Sequence, residues 1–348
     1  MRNPSGRPKV RLIDSTPNLA KALAGKLLGQ PTAIAAIVPF VEMHRARLAP
    51  EGRPAGVFLL LGPTGTGKTR TVEALAEVLH GSAKKLLEVD CGEYQMEHEV
   101  AKLLGAPPGY LGHRETQPLL TQQKVNGASS ECSDLSIVLF DEIEKAAPSL
   151  VRLLLGVLDR GALRLGDNSA VNFEKTIIFM TSNLGSREMS RELHPEFGFE
   201  SKLPRQRSGP GAKLESIGMH AVRKNFPPEF VNRIDVIITY QPLDSEALKA
   251  ILNRLLQELQ DHINRRLGEE SFHFEVPPRA RRFLLERGTS EEFGARELKR
   301  TVQRLLVHPL ASLVAAGEIQ PGAHIRADLG PRKDKLVMHG FGILAPAC

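Results

Sequence analysis

The residues with the clearest chemical use lie in a glycine-rich segment, GPTGTGKT, which spans residues 62–69. The segment follows an apolar run at 57–61 that predicts a buried strand, and a helical pattern begins at its end. In the P-loop pattern that it matches, backbone N–H groups turn inward around phosphates, and the helix N-terminus favours the anion. Lys68 would neutralise charge on the β- and γ-phosphates, and the Thr69 hydroxyl would ligate Mg²⁺. The segment therefore predicts a site for ATP and Mg²⁺ built on Gly62, Pro63, Thr64, Gly65, Thr66, Gly67, Lys68 and Thr69.

A second chemical signal is the acidic pair Asp141-Glu142, which follows the apolar run at 137–140. The carboxyl ends of parallel strands meet at one edge of a sheet, so the pair is expected to face the glycine-rich segment. There Asp141 can hold Mg²⁺ through water, while Glu142 can orient and activate the attacking water. The alternative, an ordinary strand end in solvent, is disfavoured because a complete P-loop pattern accompanies the pair.

A third apolar run, TIIFMTSN at 176–183, also ends in polar side chains. Asn183 could hydrogen-bond both the attacking water and the γ-phosphate. Taken alone, the residues favour a simpler interpretation, in which Thr-Ser-Asn forms a turn or a helix N-cap.

Short apolar runs alternate with helical patterns as far as residue 242. This alternation predicts an α/β fold with a parallel sheet flanked by helices. Beyond that point the pattern changes to a long amphipathic helix at 244–267, a short strand at 272–276 and helices at 278–287 and 294–316. The expected division is a flexible basic tail at 1–18, a large ATPase domain at 19–242 with a mobile insertion at about 193–213, a small, mostly helical domain at 243–330 and a tail at 331–348.

Composition limits the classes of protein to which the chain can belong. Its 348 residues are 41% hydrophobic and 25% charged, with a formal net charge of +6, which is ordinary for a globular protein. Cys91, Cys132 and Cys348 show no metal-binding spacing, so neither a zinc site nor a disulfide framework is expected. No secretory signal is visible, and the apolar runs are too short to span a bilayer. We therefore expect a cytoplasmic protein without membrane contact.

Seven segments, in order along the chain, resemble those of the Clp-type AAA+ ATPases, particularly the second ATPase module of the ClpB, ClpC and ClpA unfoldases. They are LLGQ at 27–30, GPTGTGKT at 62–69, GAPPGYLG at 105–112, VLFDEIEKA at 138–146, MTSNLGS at 180–186, PPEFVNRID at 227–235 and GARELKR at 294–300. The resemblance implies an AAA+ module, with an α/β ATPase domain and a small lid domain that includes a short strand. It also implies ATP hydrolysis coupled to protein unfolding.

The same resemblance implies roles for individual residues. Asn183 corresponds to the sensor-1 residue, which reverses the simpler interpretation above. Arg233 corresponds to an arginine finger that reaches the nucleotide of a neighbouring subunit, where a cation stabilises phosphoryl transfer; without the resemblance it would be a surface ion pair. Arg296 corresponds to sensor 2, which the small domain brings to the γ-phosphate. Without the resemblance it would be an arginine on the surface of a helix. Gly29 and Gln30 resemble a segment that lies against adenine.

The loop at 105–112 carries an aromatic side chain between glycines. The residues alone favour a tyrosine folded back onto its own subunit. In Clp-type unfoldases, however, the matching loop lines the pore of a ring and grips an extended polypeptide. The resemblance thus implies a homo-oligomeric ring, expected to be a hexamer, that acts on polypeptides through Gly109, Tyr110, Leu111 and Gly112.

The cellular task stays open between several hypotheses. Phe197–Phe199 resemble a tripeptide that docks on a peptidase ring, although a local anchor for the loop is the favoured interpretation. A nucleic-acid motor or loader would suit the basic charge, but a DNA motor would more often present lysine or arginine than Tyr110. A third hypothesis is a regulatory scaffold that does not translocate a substrate, which would explain why the accessory domains of the family are missing from this sequence. Without those domains, the chain is expected to form a single ring.

Overall fold

The computed structural model describes residues 18–105, 118–193, 210–289, 294–332 and 334–341. The predicted basic tail as far as residue 17, the loop residues Gly109–Gly112 and the segment Phe197–Phe199 lie outside these ranges. The strands are β1 Gly56–Leu61, β2 Leu87–Asp90, β3 Ser136–Asp141, β4 Ala162–Arg164, β5 Ala170–Asn172, β6 Thr176–Ser182, β7 Val236–Thr239, β8 His273–Glu275, β9 His324–Leu329 and β10 Leu336–Phe341.

The helices are distributed between and after these strands. They are α1 Leu19–Ala24, α2 Pro31–Arg45, α3 Lys68–His80, α4 Glu97–Leu104, α5 Gln122–Gly127, α6 Pro148–Arg160, α7 Ser186–Leu193, α8 Pro210–Asn225, α9 Pro228–Val231, α10 Ser245–Leu267, α11 Pro278–Gly288, α12 Ala295–Val302 and α13 His308–Ala315. Short 3₁₀ turns occupy Cys91–Glu93, Ile143–Lys145 and Gly268–Glu270, and a π-helical segment occupies Gln303–Val307.

A parallel sheet with the strand order β2-β3-β6-β1-β7 forms the centre of the N-terminal part of the chain. Every residue of β1 is buried, because helices cover both faces of the sheet. Val57, Leu59 and Leu61 contribute to one core cluster, while Phe58 and Leu60 contribute to the other. The predicted α/β fold is confirmed, and the continuous apolar run of β1 is explained by burial on both sides.

A third core cluster is formed by residues between Leu248 and Leu336, in the C-terminal part of the chain. Here α10, α11 and α12 pack together, and β8, β9 and β10 form a separate three-stranded sheet. The helix predicted from residue 244 begins at Ser245, and the Asp244 carboxylate accepts the Ala247 N–H at 2.7 Å as its N-cap.

The helix predicted over 294–316 is present as a continuous helical run over 295–315, but its middle is not α-helical. The structure divides it into α12, the π-helical segment Gln303–Val307 and α13. Pro309 lies at the second position of α13, where it has no N–H to bond to the preceding turn. The backbone therefore adopts a wider turn before the proline, which is a common accommodation of a missing helical hydrogen bond.

One boundary predicted from the sequence is wrong, and another shifts by a few residues. Leu336–Phe341 lie in the predicted tail at 331–348, but they form β10, which pairs antiparallel with β9 and buries Leu336. The insertion predicted at about 193–213 ends earlier, because α8 begins at Pro210. Proline suits the first position of a helix, where its fixed φ is already helical and its missing N–H costs nothing.

None of the helices in the described ranges combines the length and the apolar character needed to cross a bilayer.

Close packing between α11 and α12 predicts a specific sensitivity to substitution. A β-carbon at Gly288 would lie 2.9 Å from the Leu298 Cα and 2.8 Å from its Cδ1. We expect Gly288→Ala to destabilise the fold by about 1–3 kcal/mol, because a backbone atom cannot move aside without shifting its helix. Thermal unfolding followed by circular dichroism measures the effect. Gly127→Ala is the control, since a β-carbon there meets no atom within 4 Å; equal losses in both variants would contradict the packing argument.

Candidate active site

A cavity of about 590 Å³ lies at the carboxyl ends of the central strands, between the sheet and the C-terminal helices. This is the edge at which open parallel sheets bind ligands. Its walls include most of the glycine-rich segment, the two acids at the end of β3 and charged side chains from α3, α10 and α12. The lining residues that matter most below are Lys68, Thr69, Asp141, Glu142, Thr181, Asn183 and Arg296.

The glycine-rich segment adopts backbone angles that only glycine accepts readily. Gly62 has φ +139°, and a β-carbon there would lie 2.7 Å from the Tyr240 carbonyl oxygen at the end of the neighbouring strand. Gly67, with φ +102°, immediately precedes α3. The Thr66 hydroxyl donates to the Pro63 carbonyl at 2.9 Å and closes the loop. The loop thus has the conformation of an anion-binding turn at a helix N-terminus.

Lys68 is the most deeply buried cation of the cavity and is only 8% exposed. Its Nζ donates to the Gly62 carbonyl at 2.6 Å, to the Pro63 carbonyl at 2.9 Å and to Asn183 Oδ1 at 2.8 Å. Burial lowers the pKa of Lys68 from 10.5 to about 8, against the opposing effect of nearby carboxylates, the largest from Glu144. The three acceptors of its hydrogen bonds are uncharged, and a phosphate ligand would give this ammonium a negatively charged partner.

The side-chain oxygen atoms of Asp141 and Thr69 face each other in the cavity. The Thr69 hydroxyl donates to Asp141 Oδ1 at 3.5 Å, and the Thr181 hydroxyl donates to the same carboxylate oxygen. Carboxylate and hydroxyl oxygens are hard donors of the type that Mg²⁺ prefers beside phosphate oxygens. The pair therefore fits the magnesium-binding role expected from the sequence.

Glu142 has a left-handed backbone conformation, with φ +56° and ψ +48°. A non-glycine residue rarely adopts it, and such strain concentrates at functional positions. Its N–H donates to the Thr181 hydroxyl at 3.0 Å. Its carboxylate is 32% exposed and forms an ion pair with Lys145 at 2.5 Å. Water can reach this carboxylate, as the predicted activation of a water molecule requires.

Asn183 follows β6 and contacts two other parts of the site. Its Oδ1 accepts from Lys68, and its backbone N–H donates to Glu144 Oε1 at 3.0 Å. Its own carbonyl also accepts the Ser186 N–H at 3.2 Å, which starts the turn into α7. The residue thus forms the turn that its sequence suggests and also directs its amide toward the cavity.

Glu144 is a functional candidate that the sequence analysis did not identify. Besides holding Asn183, it has a buried Oε2 for which the described residues supply no hydrogen-bond partner. A carboxylate in this position raises the pKa of Lys68, against the larger lowering effect of burial. No residue pattern indicated the role, because Glu144 approaches Asn183 only when β3 and β6 lie side by side.

The C-terminal part of the chain meets the glycine-rich segment at the start of α12. The Ala295 N–H donates to the Gly65 carbonyl at 3.2 Å. Gly294 has φ +48°, and a β-carbon there would lie only 2.8 Å from the same carbonyl oxygen. This close approach places Arg296 and Lys299 on the cavity wall. The expected proximity of Arg296 to the phosphate-binding loop is therefore present in the structure.

Gly29 and Gln30 do not line the cavity, in contrast to the expectation that they contact a nucleotide base. Gln30 is buried and donates to the Thr66 carbonyl at 3.2 Å and to the Gln241 carbonyl at 2.9 Å. A buried amide requires such partners, so its role here is to join the glycine-rich segment to the chain beyond β7. The cavity wall is formed instead by Lys26, Leu27 and Leu28, just before them, and by Leu243, Ile251, Arg254 and Leu255.

Arg233 does not reach the cavity of its own chain. It forms an ion pair with Asp159 at 3.0 Å, and the two side chains are 44% and 42% exposed. They lie in a different surface depression of about 550 Å³, which Glu229 and Arg164 also line. The structure thus brings together the predicted lysine, acids and asparagine, and places Arg233 outside their cavity in an exposed ion pair.

Comparison with known proteins identifies related families over most of the chain. A family described as AAA domain (Cdc48 subfamily) matches residues 53–237, and one described as the C-terminal, D2-small domain of ClpB protein matches residues 243–327. The chaperone protein ClpB of Meiothermus ruber is 37% identical over 313 residues, which are 90% of this chain and 34% of that protein. The negative regulator of genetic competence ClpC/MecB of Bacillus subtilis is 34% identical over 316 residues, 91% of this chain and 37% of that protein.

A solved structure has the same arrangement of elements. A closed-state cryo-EM reconstruction of Hsp104 with ATPγS and FITC casein aligns with a TM-score of 0.76 and 28% identity, over 93% of this chain and 51% of that one. The chain spans about a third of the length of the curated relatives that it matches.

The lowered pKa of Lys68 predicts a pH dependence of nucleotide binding. The charged ammonium attracts phosphate, and it loses its proton as the pH rises through about 8. We expect the affinity for a fluorescent ATP analogue to fall by about tenfold between pH 7 and pH 9, because one pH unit above the pKa leaves about a tenth of the lysine charged. Lys68→Ala is the control, and it should bind weakly at every pH. An affinity that is constant over this range would contradict the proposed role of the ammonium.

Proposed function

The chain belongs to the AAA+ family as a Clp-type ATPase module, and we propose that it hydrolyses ATP within a ring of identical subunits to unfold or remodel polypeptides. One observation carries the proposal: Lys68, Asp141, Glu142 and Asn183, which are distant in sequence, converge on one cavity beside the phosphate-binding loop. That combination is suited to the positioning and charge stabilisation of phosphoryl transfer.

In the proposed mechanism, the loop N–H groups and Lys68 bind the β- and γ-phosphates. The lysine ammonium already points to the loop and can exchange its carbonyl partners for phosphate oxygens. Thr69 and Asp141 would hold Mg²⁺, which supplies positive charge to the phosphates when bound. Arg296, at the start of α12, adds a cation from the opposite wall of the cavity.

Glu142 is the proposed general base. It accepts a proton from water as the water oxygen forms a bond to the γ-phosphorus, and the bond from that phosphorus to the β–γ bridging oxygen breaks. The products are ADP and phosphate. Lys145 must release the Glu142 carboxylate for this step, and an exposed ion pair is weak enough to permit it. Asn183 would orient the water and the γ-phosphate.

Arg233 is proposed to complete the site of a neighbouring subunit. It lies outside the cavity of its own chain and is 44% exposed, which supports a contact in trans, and that contact would replace the ion pair with Asp159. Hydrolysis would then depend on assembly, because an isolated subunit lacks this cation. A hexamer is the proposed ring on the basis of the resemblance to Clp-type unfoldases.

Polypeptide is the proposed substrate, since relatives include ClpB chaperones and a similar Hsp104 structure that contains FITC casein. Tyr110 would contact the polypeptide in the pore. Docking of a peptidase ring at Phe197–Phe199 and a cytoplasmic location are further proposals that rely on the resemblance.

The first test separates ATP binding from hydrolysis. Glu142→Gln keeps the size of the side chain and removes the base, so we expect ATP turnover to fall by a factor of about 10²–10⁴ while nucleotide affinity stays within about threefold. Phosphate release measures turnover. Fluorescence anisotropy of FITC casein measures substrate retention, and we expect this variant to hold casein stably when ATP is present.

A second substitution provides the control for substrate contact. Adding Tyr110→Ala to Glu142→Gln should abolish casein retention and leave ATP binding intact. Normal turnover by Glu142→Gln would contradict the assigned base. Casein retention that persists without Tyr110 would contradict the proposed pore contact and favour the regulatory alternative.

The second test concerns the neighbouring subunit. Arg233→Ala should lower turnover by about 10³-fold or more without changing nucleotide affinity, because an arginine finger acts mainly in the transition state. Mixing it with Lys68→Ala subunits should restore part of the activity, since the latter bring an intact Arg233 to sites that lack one. A Lys68→Ala/Arg233→Ala double variant is the control and should restore none. Recovery that is absent in both mixtures, or a loss of affinity, would show that Arg233 does not act in trans.

A further inference from the structure

We infer that Thr181 is a positioning residue for hydrolysis, which sets the orientation of both Asp141 and Glu142 through one buried hydroxyl. The inference rests on the proposed ATPase function and extends it to a residue outside the P-loop, the acidic pair and Asn183. Thr181 lies in β6, is only 2% exposed and lines the cavity beside the two acids.

The position of Thr181 follows from where the β3–β6 ladder stops. The last backbone pair of these parallel strands is Phe140↔Met180. The acids come directly after that pair, so β6 no longer pairs with their backbone, although Asp141 still pairs with Asp90 of β2. The Thr181 hydroxyl takes the place of the backbone pairing with β6. It accepts the Glu142 N–H at 3.0 Å and donates to Asp141 Oδ1. One side chain therefore extends the strand pairing as far as the acids.

The chemistry of these two hydrogen bonds restricts the residue type. A backbone N–H can only donate, and an ionised carboxylate can only accept. The group between Glu142 and Asp141 must therefore accept from one side and donate to the other. A hydroxyl does both at a single atom, and at this position in a buried strand threonine also suits the backbone.

Each hydrogen bond has a separate consequence for the reaction. The bond from the Glu142 N–H holds a left-handed backbone conformation, and that conformation determines the direction of the Glu142 carboxylate. The bond to Asp141 fixes the carboxylate oxygen that also contacts Thr69. Hydrogen bonds of this kind orient metal-binding carboxylates, and their loss typically lowers metal affinity or activity by about 10–100-fold.

A matched control lies in the same strand. Thr176, at the start of β6, is 1% exposed, and its hydroxyl donates to the Phe173 carbonyl at 2.6 Å. It contacts neither acid and does not line the cavity. Thr176→Val and Thr181→Val both remove one buried hydroxyl from β6, so a difference between them reports on the acids rather than on stability.

The experiment compares Thr181→Val, Thr181→Ser and Thr176→Val with the unaltered chain. We expect Thr181→Val to lower kcat by about 10–100-fold and to raise the Mg²⁺ concentration needed for tight binding of a fluorescent ATP analogue. Nucleotide affinity without Mg²⁺ should change by less than about threefold, because Lys68 and the loop are intact. Thr181→Ser keeps the hydroxyl and should retain kcat within about threefold. Thr176→Val should lower the unfolding temperature but leave kcat and the Mg²⁺ requirement unchanged.

Several results would overturn the inference. Normal kcat and Mg²⁺ dependence in Thr181→Val would show that the hydroxyl is dispensable. Equal losses in Thr176→Val would show a general effect of a weakened strand, and equal losses in Thr181→Ser would assign the effect to the methyl group. If the unaltered chain does not hydrolyse ATP in any assembly, the proposed function fails and this inference fails with it.

Discussion

The buried ammonium of Lys68 is the constraint around which the site is organised. Its pKa falls from 10.5 to about 8 on burial, which corresponds to roughly 3 kcal/mol in favour of the neutral form. Desolvation therefore outweighs the attraction of the surrounding carboxylates. The two loop carbonyls and Asn183 satisfy its hydrogen-bonding capacity, but none of them carries a negative charge. A triphosphate would supply a negatively charged partner, so the site is suited to an anion.

Asp141 and Glu142 line the cavity with this lysine, at the point where the apolar part of β3 ends. Residues 137–140 of β3 and 177–180 of β6 are buried and apolar, and backbone pairing holds these two strands in register. Where pairing stops, the Thr181 hydroxyl and the Glu144 carboxylate continue the contact between the two chain segments. Buried polar groups of this kind specify geometry because each has few alternative partners. The rigidity of the hydrophobic sheet is in this way transmitted to the reacting groups.

The second wall of the cavity depends on the C-terminal part of the chain. The Ala295 N–H donates to Gly65, and Arg254 donates to the Lys26 carbonyl at 2.6 Å. Rotation of α10 and α12 relative to the sheet must break or remake these contacts. The absence of a side chain at Gly294 permits the close approach. A few short contacts thus join the C-terminal part of the chain to the phosphate-binding loop and to the segment before α2.

The sequence by itself determined the features that depend on neighbouring residues. The apolar run before Gly62 specified a strand, the glycines after it specified an anion-binding turn, and Asp244 specified the start of a helix, because these depend on local backbone preference and burial. Only the tertiary structure decided which distant residues meet. Thr181 and Glu144 acquire their roles from the register of β3 and β6. Gln30 donates a hydrogen bond to the glycine-rich segment at Thr66. Leu336 belongs to a strand only because β10 pairs with β9. Such contacts are long-range, and no local pattern of residues encodes the side-chain partners that they create.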